Sequence, residues 1–136
     1  MEKELNWEDL KVGDESGTIE YTITEAMVDQ FAQAVDDHHD WYVKDSPFGG
    51  RIAPPTLTAT DYQPTFVPKW GRIRGLHAKQ ETEFISPLRV GSKIRVSGTI
   101  VAKYEKRERK YLEFEYRIID EDGNEAIRHK IITASR

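Results

Sequence analysis

The chain is 136 residues long, 38% hydrophobic and 32% charged, with a formal net charge of −4. That length suits one ordinary domain with a real core and is too short for two full-sized ones, and the balance of apolar and charged residues excludes wholesale disorder. The acidic balance argues against a general nucleic-acid binder, and the absence of cysteine excludes disulfides, thiolate zinc sites and cysteine nucleophiles.

The opening Met1–Trp7 has no apolar core of signal-peptide length, and no run approaches the roughly 20 apolar residues that span a bilayer. A soluble cytoplasmic protein without a membrane partner is therefore expected. Thr18–Thr24, rich in β-branched and aromatic residues, reads as a short strand. The period then changes: Met27, Val28, Phe31, Ala32, Ala34 and Val35 fall at helical spacing over Glu25–Val35. Thr24 is placed to cap that helix, and Glu25 suits its positive end.

From Asp36 to Pro55, Pro47, Gly49-Gly50 and Pro54-Pro55 break up any long element, so this stretch reads as a structured loop. A short second helix is expected over Thr56–Tyr62, opening near Pro55 and ending before Pro64. The second half is strand-like: Gly75–Ile85, Lys93–Tyr104, Lys110–Ile119 and Glu125–Ala134. Leu112, Phe114, Tyr116 and Ile118 alternate with Glu113, Glu115 and Arg117, which predicts one buried face. The basic run Lys103–Lys110 is interrupted by Glu105 and Glu108 and reads as a solvated hairpin tip rather than a phosphate site.

A curved antiparallel sheet wrapped around a central helix accommodates this order, an α+β arrangement within one domain, residues 1–136. Its open edges and uncovered face make dimerisation an expectation.

Several strings, taken in order, resemble the MaoC-like branch of the hot-dog superfamily, the (R)-specific enoyl-CoA hydratases and dehydratases. They are Asp9-Leu10-Lys11-Val12-Gly13-Asp14, Tyr21-Thr22-Ile23-Thr24-Glu25 and Phe31-Ala32 ahead of an Asp-containing loop. They continue in Phe48-Gly49-Gly50-Arg51-Ile52-Ala53-Pro54-Pro55, Leu76-His77 and Ser86-Pro87-Leu88-Arg89-Val90-Gly91-Ser92. The resemblance implies a hot-dog fold and hydration or dehydration of acyl-CoA or carrier-protein thioesters without a cofactor. It also implies a homodimer, or a heterodimer with another hot-dog subunit.

Active members carry an Asp, four intervening residues and a His that together hold one water, then Ala-His-Gly at the start of the central helix, where a backbone N–H polarises the thioester carbonyl. That chemistry needs a proton acceptor for water, a donor for the α-carbon and a donor at the enolate oxygen. Carried over by position, Asp37 takes the Asp place, His39 that of an Asn often found two residues later, and Tyr42 the His place. Pro54-Pro55 stands where His-Gly is common, so Thr56 N–H is the candidate oxyanion donor, since proline has none. Tyr and Ala-Pro-Pro at these places also resemble the N-terminal halves of fungal-fatty-acid-synthase-like dehydratases, in which one half is often the partner of the half that carries the complete dyad. The resemblance sets Phe48, Gly49 and Gly50 beside the acyl-thioester tunnel, and His77 near substrate.

Each assignment has a structural alternative. Asp37 also reads as a turn carboxylate, although its register with the family Asp favours function; Tyr42 reads equally as packing beside Trp41, and His77 as a residue holding neighbouring backbone. His38 and His39 with Asp36, Asp37 and Asp40 suggest a metal, but neighbouring side chains seldom converge on one ion, so no metal site is assigned. His129, on the last strand, receives no role. The first function expected is a hydro-lyase in which Asp37 activates water with His39 or Tyr42; its rival is a non-catalytic acyl-CoA-binding or structural subunit of a heteromeric hydratase. A thioesterase ranks behind both.

Overall fold

The computed structural model describes residues 3–136. After a single 3-10 turn at Trp7–Asp9 come β1 (Ile19–Thr22), α1 (Glu25–Val35), α2 (Asp40–Val43) and α3 (Tyr62–Trp70). The four remaining strands are β2 (Leu76–Phe84), β3 (Lys93–Lys106), β4 (Arg109–Ile119) and β5 (Glu125–Ser135). They form one antiparallel sheet in the order β1-β3-β4-β5-β2.

Strand alternation is realised as expected. Leu112, Phe114, Tyr116 and Ile118 of β4 are buried, flanked by Ile94, Val96 and Ile100 of β3 and by Ile127, His129 and Ile131 of β5. Gly98 lies opposite Tyr116 in the β3–β4 register, and a Cβ there would come within 2.3 Å of the Phe114 ring. That missing side chain lets Phe114 lie flat on β3. At the far end of the same pair the expected five-residue loop contracts to a two-residue turn. Arg107 and Glu108 take φ of 52° and 64°, the left-handed pair of a type I′ hairpin. Lys103 and Lys110 fold back over Trp7, 4.1 and 5.5 Å from its ring centroid, so the basic run packs at a hairpin tip.

The second helix differs from the sequence expectation. Thr56–Asp61 forms successive tight turns, with N–H groups of Leu57, Ala59 and Asp61 bonded three residues back at 3.0–3.1 Å, and the helix proper is Tyr62–Trp70. Pro64 does not end this helix; it lies in the first turn, where an N–H has no intrahelical partner to lose. This segment fills the sheet's concave face. Thr58, Thr65 and Phe66 are fully buried, and Phe66 meets Phe114 edge to face at 5.2 Å.

α1 lies to the side. Thr24 Oγ1 accepts from Met27 N–H at 3.1 Å, and the helix closes on Asp36 in the left-handed region. Val28 and Ala32 are buried, but Met27 and Val35 are exposed, so part of the apolar stripe faces outward. No helix among the described residues is long and apolar enough to cross a membrane.

Candidate functional site

The loop after α1 is fixed by Arg51. Its guanidinium pairs with Asp29 at 2.5 Å and lies 3.6 Å from Glu25, both on α1, while its Nε donates to the Tyr42 carbonyl at 2.7 Å. Ile52 N–H adds a bond to the Trp41 carbonyl at 3.0 Å. The expected residues Asp37, His39 and Tyr42 therefore sit on one short turn. The His39 and Tyr42 rings are 5.5 Å apart, and the Asp37 carboxylate is close enough to act on the Tyr42 hydroxyl.

The protonation chemistry of this turn is constrained. His39 is the N-cap of α2, and its Nδ1 accepts the Trp41 N–H at 3.1 Å. In the neutral ring that leaves the proton on Nε2, which makes the outward nitrogen a donor rather than a base. Partial burial, and then the Asp37 charge, push the Tyr42 hydroxyl above its ordinary pKa, so near neutrality it too is a donor. Asp37 Oδ1 accepts the His39 N–H at 3.4 Å, and the second carboxylate oxygen has no hydrogen bond among the described residues. Of these three side chains, Asp37 is the acceptor and His39 and Tyr42 are donors. His38 lies 3.4 Å from Asp36, away from this arrangement.

Phe48, Gly49 and Gly50 form the adjoining turn. Ser46 Oγ donates to the Gly50 carbonyl at 2.5 Å and accepts from Phe48 N–H at 3.2 Å, and Gly49 and Gly50 hold φ of 90° and 97°. Phe48 meets Trp41 edge to face at 5.5 Å. Both line an apolar cleft of about 250 Å³ with Pro54, Pro55, Phe84 and Leu88. On the other side of the central segment lies an open groove of about 560 Å³ between the outward stripe of α1 (Met27, Phe31, Ala34) and Leu57 and Pro64. Along the chain Thr56 stands between the two linings, after Pro55 of the first and before Leu57 of the second. Its N–H makes no hydrogen bond among the described residues.

His77 is placed elsewhere. It is the second residue of the edge strand β2 and rests against Tyr62 of α3 at 5.8 Å, with no hydrogen bond or ring contact to the Asp37–Tyr42 turn among the described residues.

Two groups, one buried and one half-buried, escaped the sequence reading. His129 is fully buried, stacked on Tyr116 at 4.7 Å, and its ring nitrogens lie 2.9 Å from Thr58 Oγ1 and 2.9 Å from Thr82 Oγ1. Burial pushes its pKa down to about 4, so it is neutral. It ties the central segment, β5 and β2 together. The second is Asp61, whose Oδ2 accepts the Tyr21 hydroxyl at 2.5 Å. Burial raises its pKa to about 6 against the opposing effect of that bond. Among the described residues no group of His, Asp and Glu side chains is arranged to hold a metal ion.

The family model for the FAS1-like dehydratase domain region matches residues 11–129. The chain belongs to that family. Among solved structures it is similar to the (R)-hydratase PhaJ1 from Pseudomonas aeruginosa, at 20% identity and a TM-score of 0.78 over 98% of this chain and 87% of that one. It is also similar to a MaoC-like dehydratase from Rhodospirillum rubrum, at 23% identity and 0.72 over 95% and 96%. A third is the HadBC (3R)-hydroxyacyl-ACP dehydratase complex from Mycobacterium tuberculosis, at 14% identity and 0.82 over 91% and 96%. These likenesses establish the hot-dog fold. No curated protein matches the sequence.

Proposed function

We propose that this chain is the acyl-thioester-binding half of a paired hot-dog hydratase or dehydratase, with a companion subunit carrying the complete acid–base pair. The observation that carries this reading is the state of the Asp37–Tyr42 turn. His39 spends its Nδ1 lone pair on a helix cap, and Tyr42 stands protonated where an imidazole would take the proton from water. Water addition to an enoyl thioester needs an acceptor for the water proton, and with His39 and Tyr42 both donors that task falls to the exposed Asp37 carboxylate without the imidazole that shares it in the complete pair. The binding features remain: the apolar cleft at Phe48 and Pro55, the unbonded Thr56 N–H as a donor to the thioester carbonyl, and the groove beyond it.

A surface for the companion is available on β2. One side pairs with β5, the other edge is open among the described residues, and Leu76, Phe84 and Ile85 are 63%, 53% and 48% exposed. An uncovered nine-residue edge of this kind invites strand pairing. The test is to co-express the chain with a hot-dog protein of the same organism that has a His five residues after its Asp, and to assay crotonyl-CoA hydration. A stable heteromer is expected, with the activity lost when the companion's Asp or His is replaced.

The second reading, a self-sufficient hydro-lyase, is favoured by the unengaged Asp37 oxygen. Under it the purified chain alone hydrates crotonyl-CoA or a longer enoyl-CoA, and Asp37→Asn abolishes that turnover.

A further inference from the structure

Asp61 stands at the N-cap of α3, where a carboxylate ordinarily accepts an N–H from the second or third helical residue. Here the third residue is Pro64, which has no N–H, and Gln63 N–H is bonded to the Thr60 carbonyl at 3.1 Å. The carboxylate accordingly caps nothing. It lines the larger groove, takes the Tyr21 hydroxyl on Oδ2, and leaves Oδ1 without a hydrogen bond among the described residues. Around it the groove is mostly apolar, with Met27, Phe31, Leu57 and Pro64 as walls.

The groove also has a direction. One wall is α1, with Met27, Phe31 and Ala34 in order along it; the other is the central segment, with Leu57, next to Thr56, and Asp61 four residues further on. From Ala34 to Met27 the helical rise gives about 10 Å, the reach of a medium-length acyl chain. A thioester whose carbonyl meets Thr56 N–H would thus lay its chain along the α1 stripe toward Asp61.

We propose that this groove holds the acyl chain and that Asp61, set in place by Tyr21, selects a hydroxyl group on that chain remote from the thioester. The inference rests on the thioester-binding reading above. A plain alkyl chain would displace water from Oδ1 and leave a charged acceptor unpaired against hydrocarbon, which binding cannot recover. A chain hydroxyl donates to Oδ1 in that water's place, and Gln30 on the α1 wall offers an amide to the hydroxyl's own lone pairs. Sites built to bond a substrate hydroxyl discriminate against the analogue lacking it far more strongly than apolar pockets discriminate by size.

The test is calorimetric titration of the full chain with ω-hydroxyhexanoyl-, ω-hydroxyoctanoyl- and ω-hydroxydecanoyl-CoA, each against its unsubstituted counterpart. The expected result is at least about tenfold tighter binding of the best hydroxylated chain than of its alkyl partner. Asp61→Leu should remove that preference, while Asp61→Asn, which keeps an acceptor oxygen in the same shape, should keep part of it. Equal binding of hydroxylated and plain chains by the native protein overturns this inference and leaves thioester binding standing, as does a preference that survives in Asp61→Leu. If no acyl-CoA binds at all, the thioester reading fails and this one with it.

Discussion

Replacing Asp61 with Asn should stabilise the protein at neutral pH and leave it unchanged in acid. The folded protein holds the Asp61 proton up to about pH 6, against an ordinary value of 3.8, because burial disfavours the charge. Between those values the folded state binds more protons than the unfolded one, so this group's stabilising contribution is present in acid and is lost as pH rises through 6. At 1.36 kcal/mol per tenfold, the full displacement is worth about 3 kcal/mol; screening of the solvent-facing part of the side chain brings the expected penalty to about 1–2 kcal/mol at pH 7.5. Asparagine has no charge to bury and still offers an oxygen to the Tyr21 hydroxyl. Urea unfolding of both proteins from pH 4 to 8, with equal m-values, gives the difference directly. Asp61→Asn should gain about 1–2 kcal/mol at pH 7.5, narrowing to nothing near pH 4. A difference that does not vary with pH would show that Asp61 ionises as an ordinary surface carboxylate.

His129 should show the opposite slope. Its folded pKa of about 4 lies below the ordinary 6.5, so its contribution is complete above pH 6.5 and is lost as pH falls toward 4. Replacement by Gln should flatten that acid-side loss in the same unfolding series, while costing about 1–3 kcal/mol at pH 7.5 through the threonines left imperfectly bonded. Tyr21→Phe removes the bond that restrains the Asp61 pKa and should move its carboxyl titration, followed by NMR, above pH 6. Gly98→Ala places a methyl against the Phe114 ring and the Glu115 carbonyl, and should lower stability by about 1–3 kcal/mol in chemical denaturation.

The sheet was legible in the sequence because its buried face alternates with charged residues, and the period survives wherever one face of a strand meets the core. The central helix was less legible for a local reason. Pro64 is equally compatible with ending a helix and with opening one, and the choice is tertiary: Thr65 and Phe66, just beyond the proline, are buried against the sheet and carry the helix onward. The site divides along the same line. Asp37, Tyr42 and Thr56 are assigned by position within the chain, whereas the tasks of His39 as a cap and Asp61 as a non-capping carboxylate arise from partners on other segments or from the turn geometry itself. His129 looked like one polar residue on an end strand, and only the sheet order that sets β5 beside β2 shows why a histidine is buried there between two threonines. For Asp61 a signal was available: an Asp three residues before a proline at a helix start has lost its usual N–H partner.

The measurement that bears most directly on the central claim is a paired one on the purified chain: calorimetric titration with octenoyl-CoA alongside spectrophotometric assay of its hydration. Saturable binding is expected, weakened by Thr56→Pro, with no turnover until the companion subunit is added. Turnover by the chain alone that disappears in Asp37→Asn would contradict it and establish the self-sufficient hydro-lyase, and failure to bind any acyl-CoA would contradict both.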